Sequence, residues 1–195
     1  QLLKHRSGIF NFTSAEGFTS WMEDPISKDD LVNKIAANGS IFEPNDKFEY
    51  SNSNYVLLSF IAEKIQNKVF PQLIKEMVCK PCNLQNTYYG SKISTAKNEA
   101  KSYTKSNDWQ LATESDMSIP QGAGAIVSTP NDLNEFLNCL FSYKIVSEQT
   151  VKAMMEIEDG YGLGMFQVPF YDKKAFGHNG AIDSFQSNAY YFTVE

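Results

Sequence analysis

The chain has 195 residues, one domain's worth and enough to bury a core. Its 42% hydrophobic and 21% charged content is ordinary for a globular protein, and it contains no run of the ~20 apolar residues that a membrane-spanning helix needs. A formal net charge of −6 argues against nucleic acid as a partner, because a phosphate backbone wants a basic surface.

In chain order, residues 1 to 5 read as the end of a helix closed by Ser7-Gly8. Residues 10 to 26 read as a loop anchored by Phe10, Phe12, Phe18 and Trp21. Ser27 is placed to cap a helix in which Asp30 completes a box-like arrangement. Leu31, Ile35 and Ala36 form its buried stripe, and Gly39 ends it. An extended run from Lys47 to Tyr50 then meets an apolar helical run from Tyr55 to Ile65, with Asn52 or Ser53 suited to cap it. Such a corner can hold a tyrosine hydroxyl and an amide side chain toward one cleft. Taken alone, Tyr50-Ser51-Asn52 is also what any turn before a capped helix looks like.

Residues 68 to 79 are predicted to form a helix with Phe70, Leu73, Ile74 and Met77 facing inward, Pro71 fitting only its first turn. Residues 83 to 121 are polar and weakly periodic, with short extended pieces near Lys101–Thr104 and Trp109–Ala112. Ser128-Thr129-Pro130-Asn131-Asp132 combines a hydroxyl cap, a first-turn proline and an acid complementing the helix dipole. Leu133, Phe136, Leu137 and Leu140 then face the core, and Ser147 caps a short helix running to about Met155. After Gly160 the period changes. Tyr161–Val168, Lys174–His178 and Phe185–Thr193 read as three antiparallel strands. The predicted class is α+β, a helical part followed by the antiparallel strands of one sheet.

Cys79-Lys80-Pro81-Cys82 spells C-x-x-C, but zinc needs a second pair or nearby histidines, and a redox motif needs a βαβ context. Cys79 and Cys82 are expected to be buried or half-buried thiols at a helix end, without metal. The sequons at Asn11 and Asn38 matter only in a eukaryotic secretory host.

Five segments, in order, resemble the serine β-lactamase and penicillin-binding-protein family on its class C, D-alanyl-D-alanine carboxypeptidase and esterase side. Gln1-Leu2-Leu3-Lys4-His5-Arg6-Ser7-Gly8-Ile9 is similar to "LLxHTSGI", with Arg6 for the usual Thr. Phe42-Glu43-Pro44 through Tyr50-Ser51-Asn52-Ser53-Asn54-Tyr55 resembles "FxPGxxFxYSNxNY", with Asn45 for Gly. Gly122 to Thr129, followed by Asp132-Leu133, resembles "GAGGLxST-x-x-DL". Tyr161-Gly162-Leu163-Gly164 resembles the strand before the last catalytic motif, and Gly177-His178-Asn179-Gly180 resembles the His-x-Gly form of Lys-Thr-Gly. The resemblance implies a β-lactamase/transpeptidase-like fold, truncated at both ends, with residues 1–195 as a partial hydrolase domain. The family's nucleophile, the Ser of Ser-x-x-Lys, lies upstream of the first matched stretch, so this chain is expected to be an internal part of a larger hydrolase.

The resemblance makes Tyr50 the base or proton shuttle, Asn52 a donor to the substrate carbonyl and the catalytic lysine, and His178 the group that orients Tyr50 or a substrate carboxylate. Asn179 and Gly180 would lie along bound substrate, and the Ala181 N–H would supply the strand's half of an oxyanion hole, with Ser184 replacing a common glycine. A free tyrosine has a pKa near ~10, so service as a base means lowering it by ~2–3, roughly 3–4 kcal/mol, which a nearby cation can supply. Ser94-Thr95-Ala96-Lys97 and Ser102-Tyr103-Thr104-Lys105 spell Ser-x-x-Lys, but they follow Tyr50, in the wrong order, and read as solvated surface.

The implied function is cleavage of an amide, lactam or ester through a serine acyl-enzyme, with no metal or cofactor. His178 in place of Lys leans toward esterase or D-amino-acid peptidase chemistry. The alternative is a non-catalytic homologue that binds a peptide or cell-wall ligand. A periplasmic or other extracytoplasmic location follows from the family alone. Self-association through truncated sheet edges is expected, and so is inactivity of this chain by itself.

Overall fold

The computed structural model describes residues 1–193. Three 3-10 turns (Leu2–Lys4, Phe12–Ser14, Phe18–Ser20) lead into helices α1 (Lys28–Ala37), α2 (Asn52–Gln66) and α3 (Phe70–Ile74). Strands β1 (Tyr88–Tyr89), β2 (Tyr103–Lys105), β3 (Trp109–Leu111) and β4 (Ile126–Val127) follow, then α4 (Pro130–Phe141), α5 (Glu148–Met154), β5 (Phe166–Phe170), β6 (Lys173–Ile182) and β7 (Phe185–Phe192). The last three strands form one antiparallel sheet in the order β5-β6-β7. The middle strands form two smaller antiparallel pairs, β1 with β4 and β2 with β3.

Local chemistry accounts for the helix starts. The Ser27 hydroxyl accepts the Asp30 N–H at 3.1 Å, Thr129 Oγ1 accepts the Asp132 N–H at 3.2 Å, and Ser147 Oγ accepts the Thr150 N–H at 3.1 Å. Helix α2 departs from expectation. It begins at Asn52, with Ser51 rather than Asn52 or Ser53 at the N-cap. The Ser51 hydroxyl makes no capping bond and is buried without a partner among the described residues.

Two further expectations need correction. The predicted helix over residues 68 to 79 is α-helical only to Ile74 and continues as a π-turn over Lys75–Cys79. The wider turn shifts the phase of the side chains, so Met77 points to solvent while Leu73 stays buried. Cys82 is not a thiol: it is bonded to Cys139 of α4, 57 positions away, leaving Cys79 as the free buried cysteine.

The core has three parts. Phe12, Leu31, Ile35, Val56 and Ile119 join the first loop to α1 and α2. Cys79, Cys82, Leu84 and Cys139 join the π-turn to α4. Leu140, Val151, Met165 and Phe176 pack α4 and α5 against the sheet, where Phe141 also stacks on Tyr191 at 4.2 Å. Close sheet pairing requires Gly177, since a Cβ there would lie 1.9 Å from the Ala189 carbonyl oxygen of β7.

Candidate active site

The amino-terminal segment clasps the corner that carries Tyr50. The His5 carbonyl accepts the Glu49 N–H at 2.9 Å, and His5 Nδ1 accepts the Ser51 N–H at 3.1 Å. Asn54 Nδ2 also lies 3.2 Å from Nδ1, and Ser7 Oγ donates to Asn54 Oδ1 at 2.5 Å. These bonds fix the imidazole against Tyr50, ring centroids 4.1 Å apart and planes tilted by 31°, and near Tyr55 at 5.1 Å.

His178 comes to the same place from the sheet. Strand β6 pairs with β7 along Ala175–Ile182 but with β5 only as far as Gly177. His178, Asn179, Gly180 and Ala181 therefore lie where the β5 side of β6 has no strand partner among the described residues. The His178 ring is 6.1 Å from that of Tyr50, and Phe166 sits beside both. Its Nε2 lies 3.3 Å from the Tyr161 hydroxyl, and its Nδ1 meets the Asn179 carbonyl.

Between these groups is a cavity of about 180 Å³, lined by Tyr50, Tyr55, Gly122, Ala123, Tyr161, Gly164 and His178. Gly122 lets its turn lie on α2, since a Cβ there would come within 2.5 Å of the Tyr55 carbonyl oxygen. That approach brings Ala123 to the cavity wall.

The structure thus brings Tyr50 and His178 together across 128 positions of sequence. It does not turn the Asn52 amide to the same cavity. Asn52 Nδ2 donates to Thr13 Oγ1 at 3.0 Å, and its backbone N–H donates to Asn11 Oδ1 at 3.0 Å. The two late Ser-x-x-Lys spellings lie elsewhere: Ser94 precedes the 3-10 turn Thr95–Lys97, and Ser102 donates to the Asp183 carbonyl. Reading the sequence missed Tyr55, Gly122, Ala123, Tyr161 and Gly164 as cavity residues, and His5 as the ring packed behind Tyr50. All of them fall inside matched segments, which was the available signal.

Burial governs the electrostatics. It raises the Tyr50 phenol above its ordinary value, with no opposing cation. Tyr161 is raised far more by burial, with Tyr55 adding to the effect. His5 is pushed down to about 4, chiefly by burial and then by the proximity of His178. The phenols are therefore neutral at pH 7.

Comparison with known proteins adds the family. The family profile described as Beta-lactamase matches residues 1–194. The chain belongs to the Beta-lactamase family. It is 22% identical over 200 residues to the Teichoic acid D-alanine hydrolase of Staphylococcus aureus (strain MRSA252), a match that takes in 99% of this chain and 49% of that protein. Family membership is mirrored in shape. A D-stereospecific amidohydrolase from Streptomyces sp. superposes with a TM-score of 0.81 at 23% identity, covering 94% of this chain and 60% of that one. The D-amino acid amidase from Ochrobactrum anthropi SV3, complexed with D-phenylalanine, gives 0.79 at 25% identity over 93% and 57% of the two chains. The chain spans about half the length of the curated relatives it matches. The fold is β-lactamase/transpeptidase-like, and these relatives include hydrolases. No helix among the described residues is long and apolar enough to cross a membrane.

Proposed function

We propose that residues 1–195 are a partial serine hydrolase domain whose full-length protein cleaves D-aminoacyl amides or esters through a serine acyl-enzyme. The observation that carries this reading is the convergence of Tyr50 and His178 on one cavity, from two segments matched to the family in order. Tyr50 is the proton shuttle, His178 orients it, and Asn179, Gly180 and Ala181 present the unpaired edge of β6 to substrate. Asn52 Nδ2 keeps a second proton beside the one given to Thr13, and its donor role requires that the amide face the cleft in the ligand-bound state.

Among the described residues neither a serine nor a lysine lines the cavity. With Tyr50 raised by burial and no cation beside it, the phenol stays protonated at pH 7. The nucleophile and the cation that would activate Tyr50 therefore come from a Ser-x-x-Lys outside this chain, and the chain alone does not turn over. The preference for D-aminoacyl substrates over lactams rests on His178 standing where lactamases carry Lys, and on the names of the relatives. An extracytoplasmic location is supported by the Cys82–Cys139 disulfide, a bond that persists in oxidising compartments.

The test is to assay the full-length protein with D-phenylalanine amide, L-phenylalanine amide, a chromogenic ester and a chromogenic cephalosporin. Turnover of the D-amide or ester above the cephalosporin supports the reading. Cephalosporin as the best substrate makes the protein a lactamase instead, and binding without turnover of any of the four makes it the non-catalytic homologue.

A further inference from the structure

His178 meets one group that can only accept a hydrogen bond. The Asn179 carbonyl faces Nδ1, so Nδ1 must carry a proton. In the neutral ring Nε2 is then a bare acceptor, and the group facing it, at 3.3 Å, is the Tyr161 hydroxyl. Tyr55 completes the pattern. Its hydroxyl lies 3.0 Å from the Leu3 carbonyl, another pure acceptor, so the Tyr55 proton is committed outward. Tyr161 has one proton to give and two acceptors within reach, the Tyr55 oxygen and Nε2, of which the imidazole nitrogen is the stronger base.

The surroundings hold the hydroxyl between these two acceptors. Tyr161 is 1% exposed, and its ring stands edge-on to His5 at 4.8 Å, to Phe166 at 4.7 Å and to His178 at 5.9 Å. A ring packed on three sides cannot swing its hydroxyl elsewhere without disturbing the cavity wall.

We propose that Tyr161 is a positioning residue for this site: its hydroxyl caps His178 Nε2, holding the imidazole as the Nδ1–H tautomer in a fixed place beside Tyr50. The proposal rests on the reading of His178 as part of a hydrolase site. With both nitrogens engaged, His178 acts on the cavity through its fixed position rather than by exchanging its own proton. His5 supplies a contrast within the same molecule. Its Nδ1 accepts from Ser51, so His5 is the opposite tautomer, with its proton on the partnerless Nε2.

The experiment uses full-length protein labelled with 15N-histidine, the His5 and His178 signals assigned by their loss in His5→Gln and His178→Gln, at about pH 8 where imidazole is neutral. Long-range proton–nitrogen correlation spectra are expected to show His178 protonated at Nδ1 and His5 protonated at Nε2. In Tyr161→Phe, which keeps the ring and loses the hydroxyl, the His178 Nε2 signal should move toward that of a nitrogen without a donor. Steady-state kinetics should show kcat lower by about tenfold, the scale of one lost hydrogen bond, with KM little changed. An Nε2–H tautomer at His178 in the unaltered protein overturns the proposal, and that reading needs no variant to fold. An unmoved Nε2 signal in folded Tyr161→Phe overturns it equally. If the spectra come out as expected but His178→Gln leaves kcat intact, the assignment of Tyr161 stands and the hydrolase role of His178 falls.

Discussion

The His5 imidazole lies against the Tyr50 ring with centroids 4.1 Å apart, while its Nε2 is buried with no hydrogen-bond partner among the described residues. An imidazolium cannot be solvated there, and its pKa falls to about 4 from an ordinary 6.5. Between those two values the unfolded chain binds a proton that the folded chain does not. Stability contributed by this group is therefore fully present above pH 6.5 and is lost as pH falls toward 4. From pH 7 to 5 the loss from His5 alone is about 2 kcal/mol. Urea unfolding across that range should show it, and His5→Gln, which keeps an acceptor for the Ser51 N–H, should flatten the slope. An unchanged slope in His5→Gln would mean that other groups carry the pH dependence.

The Cys82–Cys139 bond closes a 57-residue separation, for which loop-closure entropy gives about 4 kcal/mol. Cys139→Ser should lower stability on that scale. Alkylation under denaturing, non-reducing conditions should label Cys79 alone, and a Cys82–Cys139 peptide should appear in the mass spectrum. Labelling of all three cysteines in oxidatively purified protein would contradict the pairing.

The β6–β7 hairpin turns through Asp183 and Ser184, both with positive φ, 48° and 67°. Asp183 is anchored, its carboxylate accepting the Ser115 N–H at 2.8 Å and the Ser115 hydroxyl at 2.7 Å. Ser184 has a Cβ in a backbone region that favours glycine. Ser184→Gly is expected to stabilise the protein by about 0.5–1 kcal/mol, read as a higher urea midpoint. A lower midpoint would show that Ser184 holds the turn through its side chain.

What could be read from the sequence was local. Ser27, Thr129 and Ser147 mark helix starts because a cap acts within three residues. The three strands after Gly160 were legible in number and order because alternation has a period of two, but β5 starts at Phe166 rather than Tyr161 and β6 runs on to Ile182 rather than ending at His178. The pairing of Cys82 with Cys139, by contrast, depends on how residues 83 to 138 return the chain, and nothing at either cysteine encodes that. The π-turn at Lys75–Cys79 is an exception to the period that pattern reading assumes. Tyr50 and His178 were found through matched motifs. Periodicity placed them on a corner and a strand, without saying that the two would meet. His5 carried no local signal of burial, since its environment is assembled by Tyr50, Tyr55 and Tyr161 from distant segments.

The central claim is that Tyr50 is the proton shuttle of a site whose nucleophile this chain does not hold. The most direct measurement is turnover of D-phenylalanine amide and a chromogenic ester by the full-length protein and by the 195-residue chain, each as unaltered protein, Tyr50→Phe and Ser94→Ala. The account predicts an active full-length protein slowed by about 10²–10⁴-fold in Tyr50→Phe, unaffected by Ser94→Ala, and a 195-residue chain without turnover. Turnover by the 195-residue chain that disappears in Ser94→Ala would contradict it, because Ser94 and Lys97 would then be the nucleophile and its base.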